Sequence, residues 1–240
     1  DRVFTVIGST KEGVGRALLF ETTLSDLTKW QYRGVLAEAT GLQGTMWECP
    51  DIFSLEDSHV LIVSPMQGKI NSKPIALIGA FDESTLKFTA SKEQILDNGV
   101  DFYAPQTLVD SQGRRILIGW MQQWHQKNVT ASEGWSGAMT LPRELTIRSG
   151  RVCQFPVEET KSLRGKETEL ACDTILARDT KIGMDIDPRS EIHLRAKVRA
   201  GRGFCVALLT SADGSEKTTF TIDTANQRVT CDRSLSGQGE

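Results

Sequence analysis

His59-Val60-Leu61-Ile62-Val63-Ser64 and Pro74-Ile75-Ala76-Leu77-Ile78-Gly79 decide how this chain folds. Both are short apolar runs rich in aliphatic residues and closed by Gly or Pro. Runs of this length read as strands, and they are too short to span a bilayer. Outward from them the same signature recurs. Val3 to Gly8 alternates and is β-branched, Ala17 to Glu21 is a short apolar run, and Ile116 to Met121 is another. Asp110-Ser111-Gln112-Gly113-Arg114-Arg115 reads as a hairpin turn between two strands. Short strands punctuated by Gly, Asp, Asn and Ser predict an all-β sandwich, barrel or propeller. Ser25 to Trp30 reads as a short turn of helix or a polar loop. Gly13-Val14-Gly15-Arg16 lacks the strand-to-helix setting of a phosphate loop and reads as a β-turn.

The chain has 240 residues, 39% hydrophobic and 25% charged, with a formal net charge of -3. That balance is globular and excludes disorder as the main state. Acidic and basic residues are interleaved, so no cationic stripe points to nucleic acid and no basic amphipathic helix points to a membrane. Cys49, Cys153, Cys172, Cys205 and Cys231 are scattered and lack C-x-x-C spacing, which indicates neither a zinc site nor a disulfide framework. A reducing, cytoplasmic compartment is the expectation. The sequence begins at Asp1 within a strand pattern, and the expectation is a fragment. Near Ser149-Gly150 the character shifts. Pro156 to Lys166 is charged and suits a short linker helix. Beyond it, Ile192 to Val198 and Thr218 to Ile222 alternate with period two, as one-sided antiparallel strands do. The expected division is residues 1–150 and 151–240.

Met46-Trp47-Glu48-Cys49-Pro50-Asp51-Ile52-Phe53 sets one carboxylate in apolar and aromatic company. Burial of that kind disfavours the charged form. A carboxyl that keeps its proton near neutral pH can act as a general acid. Two carboxylates are needed for the common mode of glycoside cleavage. On its own the run reads rather as a carboxylate held in a buried ion pair or capping a turn.

The Trp47 to Asp51 run resembles the acid/base motif of glycoside hydrolase family 32. Three further segments carry the resemblance in family order across nearly the whole chain: Asp101 to Thr107, Gly119-Trp120-Met121 with Gly134 to Leu145, and Asp232 to Gly237. The family implies a five-bladed β-propeller followed by a β-sandwich, here N-terminally and C-terminally incomplete. It also implies cleavage of β-fructofuranosides (sucrose, sucrose 6-phosphate or fructans) by a retaining mechanism. Glu48 then corresponds to the acid/base. The family's nucleophile lies in Asn-Asp-Pro-Asn-Gly and a further Asp in Arg-Asp-Pro. Neither motif occurs in these 240 residues, so both aspartates are expected upstream of Asp1 and the chain alone is expected to be inactive.

By the same resemblance Asp101, Trp120, Cys49 and Trp47 form the substrate-binding set. Asp101 would accept bonds from fructose hydroxyls; Tyr103, two residues on, is read as structural. For Trp120, stacking on a sugar and filling the core are both open. For Cys49, an inert thiol and a neighbour tuning Glu48 are both open. Asp51 is read as structural, as is an Arg143–Glu144 pair near the domain junction, while Trp124, His125 and Trp135 are assigned to packing or the rim. Two carboxylates and water suffice, so no cofactor or metal is implied. The expected partners are a small sugar, with no nucleic acid or membrane, and a homo-oligomer or a complementing N-terminal segment. Two other readings share the fold: a non-catalytic carbohydrate-binding or assembly module, and a fructosyltransferase.

Overall fold

A computed structural model describes residues 1–68, 70–122, 128, 130–169, 187, 189–198 and 203–237. Compact units are Asp1–Thr160 and Lys161–Glu240. The described residues are almost entirely strand and turn, and no described helix is long and apolar enough to cross a membrane.

In the first unit three antiparallel sheets follow one another. The first is a meander of β1 (Arg2–Lys11), β2 (Val14–Thr23) and β3 (Asp26–Glu38). Its opening hairpin turns on Glu12 and Gly13, both with positive φ, the backbone of a two-residue turn that matches the strand twist. This is the β-turn expected of the Gly13 segment. The helical turn or loop expected over Ser25–Trp30 is instead the start of β3. Thr23 pairs with Asp26 across the turn, and the Thr22 hydroxyl donates to the carbonyls of Asp26 and Lys29, each at 2.7 Å.

The second sheet holds β4 (Met46–Leu55), β5 (Ser58–Gln67), the two-residue β6 (Ile70–Asn71), β7 (Ile75–Asp82) and β8 (Lys87–Ile95), in the order β4-β5-β7-β8 with β6 beside β5. The third holds β9 (Tyr103–Val109), β10 (Arg115–Trp120), β11 (Arg143–Arg148) and β12 (Arg151–Pro156), in the order β9-β10-β11-β12. Asp110 makes the predicted β9–β10 turn by accepting from the backbone N–H groups of Gln112 and Arg114, both at 2.9 Å. Residue 150, the expected boundary, falls inside the β11–β12 hairpin; β12 completes the third sheet, and the unit runs on to Thr160. The expected linker helix is a 3-10 turn over Glu158–Leu163.

The two apolar runs form β5 and β7, the middle of the second sheet. Their side chains alternate between two cores. Leu61, Val63, Ile75 and Leu77 join Ala17, Leu19 and Leu36 of the first sheet. Val60, Ile62, Ala76 and Ile78 join Phe102, Leu117, Leu145 and Val152, which belong to the third sheet and its approach. A strand buried on both faces has no solvent side to alternate towards, so its sequence is continuously apolar.

The edge strand β4 packs against β1 on one side and β9 on the other. Gly8 of β1 makes the first approach possible. A Cβ there would stand 2.1 Å from the Trp47 carbonyl oxygen. Glycine inside a strand commonly marks such a contact with a neighbouring backbone.

In the second unit the described strands form one meander: β13 (Gly203–Leu208), β14 (Lys217–Asp223) and β15 (Arg228–Leu235). The expected Thr218–Ile222 strand lies within β14. The expected strand over Ile192–Val198 is absent; Ile192 and Leu194 stand about half exposed. Alternation alone does not hold a strand; it needs a partner edge and an apolar surface to cover.

Gly8→Ala is expected to destabilise the purified chain by roughly 1–3 kcal/mol, the usual cost of overpacking, read as a lowered urea midpoint. An unchanged midpoint would show that β1 and β4 do not meet at this glycine.

Candidate active site

Two strand irregularities build the site. On β4, Glu48 pairs with Ser64, and the next pair is Asp51 with Ile62. Cys49 and Pro50 together oppose Val63, a β-bulge. Cys49 takes φ 46°, a left-handed conformation uncommon for a residue with a side chain. The proline has no N–H to offer the ladder and belongs at a bulge or an edge. The extra residue exchanges the faces of the strand. Trp47 before the bulge and Ile52 after it pack towards the first sheet. Phe53 and Leu55 point into the other core. Glu48 and Asp51 share that side, facing β9.

The neighbouring edge strand repeats the device. On β9, Tyr103 pairs with Trp120 and Gln106 with Ile118, so Ala104 and Pro105 oppose Gly119 alone. Ala104 takes φ 47°. Glu48-Cys49-Pro50 and Tyr103-Ala104-Pro105 are thus equivalent: a site residue, a left-handed residue and a proline.

Facing bulges bring their side chains together. The Tyr103 hydroxyl lies 2.7 Å from Glu48 Oε2, to which it donates, and 3.2 Å from the Ser64 carbonyl oxygen. Tyr103 is 1% exposed, whereas Glu48 is half-buried, less enclosed than its apolar flanks imply. Burial, and then the bond and charge of Glu48, push the Tyr103 phenol far above its ordinary value, so it remains a proton-bearing donor. Two further links tie the strands. Gln106 Nε2 donates to the Cys49 carbonyl at 2.9 Å. Asp51 Oδ2 accepts from both the N–H and the hydroxyl of Thr107 at 2.7 Å. Burial raises the Asp51 pKa against the opposing pull of those bonds and of Arg115. Asp51 is a strand tie, as its structural reading has it.

The remaining site residues fall as follows. The Cys49 side chain is exposed, and desolvation followed by the Glu48 charge raises its pKa, which keeps it a thiol and not a nucleophilic thiolate. Trp120 lies half-buried beside Tyr103 on β10, its indole against Gly137, where a Cβ would stand 2.6 Å from Nε1. Asp101 sits in a bend before β9, two residues from Tyr103. Trp47 does not join the group. It is 0% exposed in the core, with Nε1 donating to the Gln43 carbonyl at 2.8 Å, and presents no surface to a ligand. Arg143 pairs with Asp97 at 2.6 Å and stacks over Phe102, in place of the expected Glu144 partner; successive strand residues point to opposite faces. Trp135 is exposed, its Nε1 donating to Glu133. Trp124 and His125 lie outside the described residues. Tyr103, read from sequence as scaffold, is the residue that sequence reading missed. The signal for it was the Tyr-x-Pro echo of Glu-x-Pro.

Antiparallel sheets packed one against the next, with a strand-borne carboxyl backed by a buried tyrosine, place the chain in the β-propeller class. Residues 1–156 match the glycosyl hydrolases family 32 N-terminal domain, and the chain belongs to that family. It is 40% identical over 185 residues to a sucrose-6-phosphate hydrolase of Escherichia coli, a match covering 73% of this chain and 38% of that protein. Its fold superposes on a β-fructofuranosidase of Bombyx mori with a TM-score of 0.76 at 28% identity, covering 100% of this chain and 50% of the other. A sucrose-6-phosphate hydrolase of Lactobacillus gasseri shares the fold at a TM-score of 0.79 and 24% identity, covering 99% of this chain and 49% of that one. The chain spans half or less of the length of each of these three.

Ala104→Gly is expected to leave the chain as stable or stabilise it by up to about 1 kcal/mol, because glycine carries no left-handed penalty. Ala104→Val should destabilise it by about 2 kcal/mol or more. Equal urea midpoints for the two variants would contradict the strained bulge.

Proposed function

We propose that the protein of which this chain is part hydrolyses β-fructofuranosides, with Glu48 as its acid/base. The observation that carries this is the Glu48 carboxyl on the β4 bulge, with Oε2 bonded to Tyr103, in a chain of this family. Oε1 has no hydrogen-bond partner among the described residues and is the oxygen from which a proton can pass. The names of the relatives support the substrate class: sucrose-6-phosphate hydrolase for one, and for a Bombyx mori relative 26% identical a solved complex with sucrose.

In the proposed cycle Glu48 protonates the glycosidic oxygen as the fructosyl carbon is taken by a carboxylate nucleophile. Glu48 then accepts a proton from water as the water attacks the fructosyl-enzyme, the exchange of roles that retention requires. The nucleophile is assigned to sequence beyond these 240 residues, in which neither aspartate motif of the family occurs. Asp101 and Trp120, next to Tyr103 in chain and ladder, are assigned to sugar contact: Asp101 as an acceptor for hydroxyls and Trp120 through its ring. Cys49 flanks the acid as a neutral thiol.

In the full-length protein Glu48→Gln is expected to lower turnover on sucrose by at least about a hundredfold, the low end of what a positioned general acid supplies, with the urea midpoint unchanged. Turnover near that of the unaltered protein would remove Glu48 from the role. The 240-residue chain alone is expected to release no fructose from sucrose, since one carboxylate of a pair leaves only residual rate. Fructose release by the purified chain would show that it contains its own nucleophile.

A further inference from the structure

We propose that Tyr103 is a positioning residue for the acid/base step: its single hydroxyl proton alternates between Glu48 and the Ser64 carbonyl as Glu48 loses and regains its own proton. The inference rests on the acid/base reading of Glu48 and adds a partner to it.

A phenol has one proton to donate and lone pairs with which to accept. Tyr103 has two acceptors in reach, Glu48 Oε2 at 2.7 Å and Ser64 O at 3.2 Å, and cannot serve both fully at once. With Glu48 ionised, the proton points to Oε2, because a bond to a charged acceptor is the stronger. With Glu48 protonated on Oε1, the oxygen that serves the leaving group, Oε2 is a neutral and weaker acceptor and the phenol proton turns toward Ser64 O. In both states the buried phenol proton has an acceptor within reach, which matters where an unpaired buried group costs about 1–3 kcal/mol. No covalent bond changes at Tyr103; only its hydroxyl rotates.

The fold keeps the trio in register. Ser64 is the ladder partner of Glu48, so its carbonyl is fixed with respect to that residue. Tyr103 is buried and aimed by its own bulge. Among the described residues, the titratable groups that adjoin the pair along the chain are Cys49 on β4 and Asp101 before β9. Asp51 on β4 and Arg115 on β10 interact with each other further along. Between His59 and Met66, β5 brings none. On the opposite side of β4, β1 carries Arg2 and Lys11 at its ends.

The test is the pH dependence of kcat/KM on sucrose in the full-length protein. A donor to the ionised carboxyl favours ionisation. Tyr103→Phe is therefore expected to move the alkaline limb to higher pH by about one unit, a tenfold change in the ionisation equilibrium, and to lower kcat about tenfold with KM within about twofold. Fluorotyrosine at position 103 keeps the shape and is a stronger donor; it is expected to move the limb to lower pH, and it serves if the phenylalanine variant fails to fold. A limb that stays put in the fluorotyrosine protein, or a Tyr103→Phe loss confined to KM or stability, overturns the proposal. Glu48→Gln separates the two readings. If it retains turnover, the acid/base assignment falls and this inference with it. If it abolishes turnover while Tyr103 changes leave the profile fixed, only the role of Tyr103 falls.

Discussion

The inner strands of the middle sheet of the first unit, β5 and the first half of β7, meet water on neither face, and the rest of that unit depends on this. Val60 to Val63 and Ile75 to Ile78 divide between two cores, each large side chain contributing roughly 1.5–3 kcal/mol when fully buried. Burial on both sides has a cost in information. A one-residue slip of an ordinary strand exposes its apolar set and is resisted. In β5 a slip exchanges Leu61 and Val63 for Val60 and Ile62, and both sets are apolar. The run cannot fix its own register. Its ends and partners do so: His59 Nδ1 accepts from the Phe81 N–H at 3.2 Å, and β4 accommodates its bulge at one place.

That bulge converts a packing problem into a site. Without the extra residue at Cys49-Pro50, the residues of β4 beyond it would reverse faces. Phe53 and Leu55 would leave the core they share with Val60 and Ile62, and Asp51 would turn away from Thr107. The bulge lets Glu48 and Phe53, five positions apart, lie on the same side of a strand whose period is two. The matching bulge at Ala104-Pro105 does the same for Tyr103 and Gln106 on β9.

Legibility in the sequence followed the type of signal. Apolar runs and turn residues are local, so the strands at Val3–Gly8, His59–Ser64, Pro74–Gly79 and Ile116–Met121 and the Asp110 turn were all readable. The family was readable from four motifs in order. Contacts between strands distant in sequence were not. Trp47 looked like a sugar platform because it adjoins Glu48, but neighbours on a strand face opposite ways, and Trp47 belongs to the core of the first sheet. Arg143 and Glu144 failed as a pair for the same geometric reason. Tyr103 was passed over because its partner lies 55 residues away on another sheet. Ile192–Val198 had the pattern of a strand and pairs with none of the described strands.

The two left-handed residues raise the question of what maintains them. Cys49 and Ala104 each cost of order 1–3 kcal/mol. Against this stand the links that the bulges create: Gln106 to the Cys49 carbonyl, Thr107 to Asp51, and Tyr103 to Glu48. Neutral bonds contribute about 0.5–1.5 kcal/mol each and a bond to a charged group about 1.5–3. Strain and links are of the same size, so the bulges add little net stability. What they add is aim. On a regular β4 and β9, Glu48 and Tyr103 would not meet with Ser64 O within reach. The strain is therefore the local cost of orienting one carboxyl, and it is carried by the prolines and by the two cores on either side of β5.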